Sequence, residues 1–389
     1  MMAPDYKILM YSHDTYGLGH IRRTLTIARA LTRQGTDILI ITGCPLAGQF
    51  CFPRGIDYVR IPGMIKTDRD QYEPLAVRLA PDQVLAIRKE IVLSVVKTFK
   101  PDLFIVDKAP LGLKKEIVPA LGWIREHLPR TRTVLGLRDV MDDAQSVRAS
   151  WKRKNLFSAI DAYYDHIWVY GNQEIYDPVA EYNIPPDLTP KLCFTGYLKR
   201  QVNQGPCIPK GKKKVLVTAG GGKDGFTLFD AFLSWYEACR PDRVCASMIL
   251  GPFLGKKEQN LLEKRAQARN ISARGFCTDM EAQIRSADLL VCMGGYNTLC
   301  EALSCTTPTL VVPRDHPRKE QLIRAQCLSA RGLVDYIPPR DLTPEHLGNK
   351  ITDLLGRSLE KQQAMAGFDM TGIGVIREQV EQFRKAGHP

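Results

Sequence analysis

The loop at residues 13–20 carries the side chains that are best suited to acid–base chemistry. His13, Asp14 and His20 follow the apolar run Lys7–Ser12 and precede a stretch of helical periodicity. An imidazole or a carboxylate placed there can take a proton from a hydroxyl group. The sequence therefore predicts a general base in this loop, and the alternative is that His20 is a solvated surface histidine.

The first helical turn after this loop is basic, because Arg22 and Arg23 follow His20. Positive side chains at a helix N-terminus oppose the helix dipole unless an anion or an acidic side chain lies near them. We therefore expect either an anionic ligand or an acidic partner close to this turn.

A second loop, residues 219–225 (AGGGKDG), begins the C-terminal half after the apolar run Lys213–Thr218. Its glycines match G-x-G-x-x-G, the spacing of dinucleotide-binding domains, but the next apolar run, Val244–Leu250, ends without the carboxylate that binds the ribose there. A P-loop is excluded, because Asp224 follows Lys223 where Ser or Thr is required. The loop therefore predicts a phosphate site at a helix start, with a nicotinamide site as the alternative.

The segment 293–314 (MGGYNTLCEALSCTTPTLVVPR) places another glycine pair at a helix start. The amides of Gly294 and Gly295 predict a second cradle for a pyrophosphate. Thr298 and Glu301 are three residues apart and share one face of the helix. A carboxylate at this distance from a phosphate site can accept two hydrogen bonds from a ribose diol, and the alternative is that Glu301 is an exposed helix residue.

Apolar runs alternate with helical patterns through both halves of the chain, which predicts βα units that build parallel sheets. The pattern restarts near Lys213, after a stretch rich in Gly, Pro and Lys that is typical of linkers. We therefore predict an α/β protein with two Rossmann-like, doubly wound domains that face a cleft. The predicted parts are residues 1–198, a linker at 199–213, residues 214–370, and a C-terminal helix at 371–389, for which packing on the first domain is one option. Ligands of such sheets bind at the carboxyl ends of the strands.

Composition limits the class of protein. The 389 residues are 44% hydrophobic and 25% charged, values that exclude a mainly disordered, collagen-like or coiled-coil chain. No apolar run approaches the ~18–20 residues that span a bilayer, so we expect a cytoplasmic protein. The net charge of +12 favours an acidic partner: a phosphorylated small molecule, an anionic membrane surface or nucleic acid. The eleven cysteines include no C-x-x-C pair and predict no metal site.

Several residues of the C-terminal half together resemble the donor-site motif of glycosyltransferase family 28. They are Gly294, Gly295, Thr298, Glu301, Pro308, the run Val311–Pro313, Glu320 and Gln321. The family includes the bacterial enzyme that adds N-acetylglucosamine to lipid I, and it has the GT-B fold of two Rossmann-like domains. The resemblance covers residues 213–328 well and adds the loop Gly17–His20. Gly294, Thr306, Glu320 and Arg324 stand where the family usually has Ser, Gly, Gln and Asn, so hexose and N-acetylhexosamine donors both stay open.

The resemblance implies a role for each matching residue. The residues that would bind the donor are Gly220, Gly221, Gly222, Phe276, Gly294, Gly295, Asn297, Thr298, Glu301, Glu320 and Gln321. Within this set, Phe276 lies where the family binds uracil, Glu301 would bind the ribose, and Glu320 and Gln321 would contact the sugar. The residues that would line the acceptor side are His13, Gly17 and Gly19.

The implied reaction is an inverting transfer of a sugar from a nucleoside diphosphate, UDP by resemblance, to an acceptor hydroxyl, with no metal or cofactor. The base candidates are His20 first, Asp14 second and Asp107 third. A lipid-linked acceptor and peripheral association with the inner face of an anionic membrane are open options. The alternatives are a nucleotide-sugar hydrolase or epimerase on the same fold and, less favoured, a nucleic-acid-binding protein, since no nucleic-acid motif accompanies the basic clusters.

Overall fold

The computed structural model describes residues 5–13, 17–68, 71–202 and 211–387. The chain divides into two compact units. The first unit takes the described residues up to Tyr197 together with those from Thr371 onward, and the second unit runs from Leu198 to Met370.

Both units are built from short strands that alternate with helices. The strands are β1 (Tyr6–Ser12), β2 (Thr36–Thr42), β3 (Ile56–Arg60), β4 (Met64–Asp68), β5 (Gln71–Pro74), β6 (Leu103–Asp107), β7 (Arg132–Arg138), β8 (His166–Tyr170), β9 (Leu192–Phe194), β10 (Lys213–Thr218), β11 (Val244–Ile249), β12 (Ser272–Arg274), β13 (Leu289–Cys292), β14 (Thr309–Val311) and β15 (Asp335–Tyr336). The helices are α1 (Gly19–Leu31), α2 (Pro81–Phe99), α3 (Val118–His127), α4 (Ala144–Arg153), α5 (Leu156–Tyr163), α6 (Pro178–Tyr182), α7 (Phe226–Cys239), α8 (Lys256–Gln267), α9 (Met280–Arg285), α10 (Tyr296–Cys305), α11 (Glu320–Ala330), α12 (Pro344–Gly356), α13 (Ser358–Ala366) and α14 (Gly372–Gly387).

The first unit is a seven-stranded parallel sheet in the order β3-β2-β1-β6-β7-β8-β9. The order reverses between β1 and β6, where Ser12 pairs with Asp107 in register. Both strands are apolar on both faces because helices cover the sheet on each side, and Ile8, Leu9 and Phe104 are fully buried. The reversal opens a crevice at the carboxyl ends of β1 and β6, which is where doubly wound sheets bind ligands.

An antiparallel hairpin of β4 and β5 lies between β3 and α2. It packs on the unit through a small apolar cluster of Met64, Val84 and Leu113. The helix α2 that follows begins at Pro81, since proline is favoured at the first helical position, and the side chain of Gln83 accepts a hydrogen bond from the Ala80 amide at 3.1 Å. The hairpin and helix therefore form one wall of the first unit.

The C-terminal helix α14 belongs to the first unit. The ring of Phe383 stacks on His166 of β8 with centroids 4.5 Å apart, and Gln379 accepts a hydrogen bond from the indole N–H of Trp168. Arg377 donates to the carbonyl of Ala30 at 2.8 Å. These contacts hold the end of the chain against α1 and β8.

The second unit is a six-stranded parallel sheet in the order β12-β11-β10-β13-β14-β15, and its order reverses between β10 and β13. Its apolar core joins the sheet to α7 and α12. A Cβ atom at Gly348 would lie 2.0 Å from the indole nitrogen of Trp235, so glycine is required where these helices meet. The loops after β10 and β13, which carry the two predicted phosphate cradles, therefore meet at one crevice.

The two parallel sheets confirm the predicted α/β class, and β1, β10 and β11 lie within one residue of the predicted runs Lys7–Ser12, Lys213–Thr218 and Val244–Leu250. The structure adds β3, the β4–β5 hairpin, and the short strands β9, β12 and β15. Across the part of the chain that the structure describes, no helix combines the length and apolar character needed to cross a bilayer.

Candidate active site

His20 and Asp107 form a contact pair at the crevice of the first unit. Asp107 ends β6, His20 lies in the first turn of α1, and His20 Nδ1 contacts Asp107 Oδ2. Arg23, one turn further along α1, donates to both oxygens of the same carboxylate, at 2.8 Å from Nε and 2.6 Å from Nη2. Asp107 is thus the acidic partner that the basic first turn of α1 requires.

The environment of this pair keeps His20 neutral. Its side chain is 18% exposed, and burial lowers the pKa of His20 from 6.5 to about 4, although Asp107 opposes the shift. Burial also opposes ionisation of Asp107, but Arg23 and His20 outweigh it and hold the pKa of this carboxyl well below its usual range. The alternative of a solvated surface histidine is therefore wrong: His20 is a neutral imidazole held by a carboxylate.

A second imidazole, His13, lies beside the first. The two rings are edge to face with centroids 5.7 Å apart. The hydroxyl of Tyr11 lies 3.5 Å from His13 Nδ1 and donates to Oε1 of Glu116. Arg88 closes this chain with hydrogen bonds to both Glu116 oxygens, at 2.5 Å and 2.7 Å. Burial lowers the pKa of His13 well below its usual range, and His20 and Lys108 add to the effect.

The other predicted residues of the first loop differ in what the structure describes. Asp14 lies outside the described residues. Gly17 has φ of +115°, a conformation that favours glycine, and a Cβ atom there would meet no atom within 4 Å. Gly19 is the first residue of α1. The loop thus turns through a glycine and leads directly into the helix that carries His20.

The glycine loop of the second unit follows β10. Gly220 and Gly222 have φ of +63° and +91°. A Cβ atom at Gly222 would lie 2.3 Å from the carbonyl oxygen of Leu250, whereas one at Gly220 would meet no atom within 4 Å. Gly222 is therefore required for close packing of this loop on the turn after β11. The carbonyl oxygen of Gly221 accepts a hydrogen bond from the Phe253 amide in the same turn at 2.9 Å.

The second glycine pair opens α10. Gly294 has φ of +77°, and a Cβ atom there would lie 2.6 Å from Val311 Cγ1, so close packing on β14 requires glycine. Gly295 is the N-cap residue of α10, has an ordinary φ of −61°, and faces open space where its Cβ atom would be. The N-terminus of α10 thus has no side-chain cap, and free amides at a helix N-terminus can bind an anion.

Helix α10 is buried along almost its whole length. Asn297 and Thr298 are each 7% exposed and Glu301 is 1% exposed, so the alternative of a surface helix residue is wrong for Glu301. Two arginines lie beside this helix: Arg200, which no sequence motif marks, and Arg324, which the sequence marks only as a departure from the family's usual Asn. Arg200 donates to Asn297 Oδ1 at 2.7 Å, and Arg324 donates to the Gly294 carbonyl at 3.2 Å.

Arg314 links the glycine loop after β10 (residues 219–225) to the start of α11. Its Nη1 lies 2.5 Å from Asp224 Oδ2 and its Nη2 lies 2.9 Å from Glu320 Oε1. The side-chain oxygen of Gln321 accepts from the Arg314 amide at 3.1 Å. Glu320 and Gln321, the predicted sugar contacts, are thus both positioned by one arginine that no motif had marked.

Phe276 lies in the loop after β12, at the same carboxyl edge of the sheet as the glycine loops. Within residues 5–13, 17–68, 71–202 and 211–387, no three His, Cys, Asp or Glu side chains come together in a way that could hold a metal ion. Cys292, at the end of β13, is buried, and burial raises the pKa of its thiol to about 12. This cysteine is an inert part of the core.

Two parallel-sheet α/β units, each with loops gathered at the point where its strand order reverses, define a protein of the GT-B fold. The structure of the glycotransferase of kitacinnamycin has this fold too. It superposes with a TM-score of 0.64 at 16% identity and covers 100% of both chains. The predicted fold is therefore confirmed.

Residues 247–380, about a third of the chain, match the glycosyltransferase family 28 C-terminal domain. The predicted resemblance to this family is thus confirmed, because this range contains α10, Glu301, Glu320 and Gln321. The match begins within the second unit and ends in the C-terminal helix α14.

Curated relatives agree with this match. A protein of Corynebacterium efficiens named UDP-N-acetylglucosamine–N-acetylmuramyl-(pentapeptide) pyrophosphoryl-undecaprenol N-acetylglucosamine transferase is 33% identical over 105 residues, which cover 26% of this chain and 29% of that one. An uncharacterized glycosyltransferase of Methanosarcina acetivorans is 25% identical over 379 residues, which cover 94% and 96%. The first four curated relatives align over only 29% to 52% of their own lengths.

Proposed function

We propose that the protein transfers a sugar from a nucleoside diphosphate sugar, with UDP as the nucleotide, to an acceptor hydroxyl. The observation that carries this proposal is the family 28 C-terminal domain at residues 247–380, whose buried helix α10 presents an uncapped N-terminus beside Glu301. The name of the Corynebacterium efficiens relative specifies a UDP-N-acetylglucosamine donor and a pyrophosphoryl-undecaprenol acceptor. UDP-N-acetylglucosamine is therefore a candidate for the donor, and a pyrophosphoryl-undecaprenol lipid is a candidate for the acceptor.

In this proposal the second unit binds the donor. The N-terminus of α10 and the glycine loop after β10 hold the diphosphate, since helix N-termini and exposed amides stabilise phosphate charge. Glu301 accepts hydrogen bonds from the ribose, and the loop of Phe276 holds the uracil. Glu320 and Gln321, fixed by Arg314, contact the sugar.

The first unit supplies the base. A carboxylate only accepts hydrogen bonds, so the contact between His20 Nδ1 and Asp107 requires the proton on Nδ1 and leaves a lone pair on Nε2. With a pKa of about 4, this imidazole is unprotonated at neutral pH and ready to accept a proton.

The proposed step is a single displacement. The acceptor oxygen forms a bond to the anomeric carbon as the bond from that carbon to the phosphate oxygen breaks. UDP leaves with the electron pair, His20 Nε2 takes the acceptor proton, and the configuration at the anomeric carbon inverts. The amides at the helix N-termini stabilise the charge that develops on the diphosphate, and no metal ion takes part in this scheme.

The donor proposal is tested by thermal shifts with UDP, GDP, dTDP, CDP and NADH. A ligand at ~100 times its Kd stabilises the native state by ~2.7 kcal/mol, which raises Tm by a few degrees for a chain of this length. UDP is expected to raise Tm. A response to NADH alone would overturn the donor assignment and favour the nicotinamide site.

Turnover then separates transfer from the alternatives on the same fold. UDP release from UDP-glucose or UDP-N-acetylglucosamine is measured with and without an alcohol acceptor. Acceleration by the acceptor is expected for a transferase. Release that acceptors do not raise would indicate a hydrolase, and an epimerised sugar would indicate an epimerase.

We further propose peripheral association with the cytoplasmic face of an anionic membrane. Among the described residues, five large apolar side chains are exposed, and three of them, Val77, Leu79 and Ile87, lie between β5 and the middle of α2. In the same stretch the exposed Asp82 and Glu90 offset the exposed Arg78 and Lys89. The attraction to anionic lipid would therefore come from the net charge of +12 of the whole chain, since each basic residue near an anionic surface contributes ~1 kcal/mol. Sedimentation with phosphatidylserine vesicles is expected to show salt-sensitive binding, and its absence would refute this part.

A further inference from the structure

His13 and His20 are held in similar ways: each is linked to a carboxylate that a buried arginine neutralises. His20 contacts a carboxylate, Asp107, that is neutralised by two hydrogen bonds from the buried Arg23. His13 reaches a carboxylate, Glu116, through the hydroxyl of Tyr11, and two hydrogen bonds from a buried arginine neutralise that carboxylate as well. The proposed reaction uses only the first of these imidazoles as a base.

The hydrogen bonds of Tyr11 determine which nitrogen of His13 carries the proton. The phenol has one proton, and it donates that proton to Glu116 Oε1, which as a carboxylate only accepts. Burial raises the pKa of Tyr11 well above its usual range, so the phenol stays protonated. The Tyr11 oxygen can therefore only accept from His13 Nδ1, at 3.5 Å, and the Nε2 atom of His13 keeps its lone pair.

Burying the hydrogen-bonded set of Tyr11, Glu116 and Arg88 costs free energy. Glu116, Arg88 and Tyr11 are each at most 1% exposed. Burying an ion pair costs several kcal/mol per ion in lost hydration, and an apolar core of the same volume is often as stable. This hydrogen-bonded set leads to His13, a half-buried imidazole at the carboxyl edge of the sheet beside the proposed base. Stability alone therefore does not account for it.

We propose that His13 is a specificity-determining residue whose Nε2 accepts a hydrogen bond from a second hydroxyl of the acceptor. This inference rests on the proposed sugar transfer. It defines the acceptor class as a polyhydroxylated group, such as a sugar or a glycerol headgroup, in which one hydroxyl faces His20 and another faces His13. Tyr11 is a positioning residue that acts through His13.

The test compares an acceptor that has several hydroxyl groups with one that has a single hydroxyl group and the same octyl chain. UDP release from a UDP-sugar is measured with octyl β-glucoside and with 1-octanol, for the wild type, His13→Ala and His13→Gln. The wild type is expected to favour the glucoside in kcat/KM. Loss of one hydrogen bond at a buried site should lower this preference by about 10- to 100-fold in His13→Ala, and His13→Gln, which keeps an acceptor oxygen, should retain part of it.

His127 provides a matched control, because it is an exposed histidine of the same unit whose side chain is 52% accessible. His127→Ala is expected to keep the wild-type preference. Equal losses on both acceptors in His13→Ala, or a wild type that uses the two acceptors equally, would overturn the proposal. If neither acceptor raises UDP release in the wild type, the proposed transferase function fails instead.

A second measurement does not depend on turnover. Two-bond nitrogen–proton NMR spectra of the labelled full chain report the tautomer of each imidazole. His13 is expected to be protonated at Nδ1 in the wild type and to shift towards the Nε2-protonated form in Tyr11→Phe, which loses the hydroxyl and keeps the ring. An Nε2-protonated His13 in the wild type would contradict the proposed role directly.

Discussion

His20 Nδ1 contacts Asp107 Oδ2, although the two residues are 87 positions apart in the chain. The contact arises because β1 and β6 are neighbours in the sheet, so the loop after β1 and the end of β6 meet at one crevice. Asp107 selects the tautomer of His20, and Arg23 fixes Asp107 in turn. The pair is thus a base together with the group that orients it.

Replacing His20 by Ala removes the proposed base. Turnover of UDP-sugar with an acceptor is expected to fall by ~10²–10⁴ in kcat, which is the usual contribution of a general base. The KM for the donor and the Tm shift with UDP are expected to stay at wild-type values, because the donor residues lie in the second unit. Unchanged turnover would remove His20 from the mechanism.

Asp107→Asn keeps the shape of the side chain and removes its charge. Because Arg23 is then left buried beside a neutral amide, we expect a loss of ~3–5 kcal/mol in the free energy of unfolding, together with lower turnover. Urea denaturation measures the first effect. The control is Asp353→Asn, which breaks the exposed pair of Asp353 and Arg357 and is expected to leave the denaturation midpoint unchanged. Equal midpoints for the two variants would contradict the buried-pair account.

Strands that lie in continuous apolar runs could be predicted from the sequence, and strands that are polar or very short could not. The runs that form β1, β6, β10 and β13 are apolar on both faces, so their pattern is unambiguous. Strands such as β12 and β15 contain three and two residues, too few for any pattern. The hairpin of β4 and β5 has no continuous apolar run, and it packs on the unit through Met64, which contacts Val84 and Leu113.

Part of the candidate site of the first unit could be predicted from the sequence, which marked His13, His20 and Asp107. His13 and His20 share a loop, so their proximity follows from the sequence. Glu116 and Arg88 come from a loop and a helix that are brought to Tyr11 by the fold, and no spacing in the chain marks them. The contact of Arg314 with Asp224 could not be predicted for the same reason, since the two residues are 90 positions apart.

The low pKa of His20 sets the acid limit of activity. Burial lowers this pKa from 6.5 to about 4, so the base form persists well below neutral pH. We expect kcat/KM to be flat from about pH 8 to pH 5 and to reach half its maximum near pH 4. Half-maximal activity at pH 6.5, the value of an ordinary histidine, would contradict this environment.

The same shift predicts how stability depends on pH. The unfolded chain binds a proton at His20 below pH 6.5, whereas the native state resists it down to about pH 4. The unfolded state therefore holds more protons in this window, and stability falls as the pH is lowered through it. His20→Gln has no such group and is expected to lose less stability than the wild type between pH 6.5 and pH 4 in urea titrations. Parallel curves for the two proteins would exclude the linkage.

The two glycines before α10 separate binding from folding. Gly295 has an ordinary backbone conformation and open space at its Cβ position, so Gly295→Ala is expected to fold normally. If the diphosphate lies at this N-terminus, the added methyl group should raise the donor KM by about tenfold or more, because it displaces the phosphate from the amides. Steady-state kinetics with varied UDP-sugar measure this effect.

Gly294→Ala is the matched comparison. Its φ of +77° and the contact of 2.6 Å with Val311 Cγ1 predict a folding defect of ~1–3 kcal/mol in addition to any kinetic effect. A wild-type donor KM in Gly295→Ala would show that the diphosphate binds elsewhere.

Arg314 should support donor binding by holding three residues at once. It lies 2.5 Å from Asp224 of the glycine loop and 2.9 Å from Glu320, and its amide donates to Gln321 at 3.1 Å. In Arg314→Ala the backbone amide remains, but the loop and the start of α11 lose their common cation. We expect the donor KM to rise by about tenfold, since removing a charged hydrogen-bond partner costs ~1.5–3 kcal/mol in favourable cases and Arg314 is only partly buried.

The control for this variant is Arg340→Ala. Arg340 is 87% exposed and its nearest acidic atom, on the adjacent Asp341, is 3.6 Å away, so its loss is expected to change neither KM nor Tm. Isothermal titration with UDP measures donor affinity without turnover. If Arg314→Ala binds UDP normally but shows a raised KM for the UDP-sugar, the arginine acts on the sugar through Glu320 and Gln321. If both variants match the wild type in UDP affinity and in KM, Arg314 has no part in donor binding.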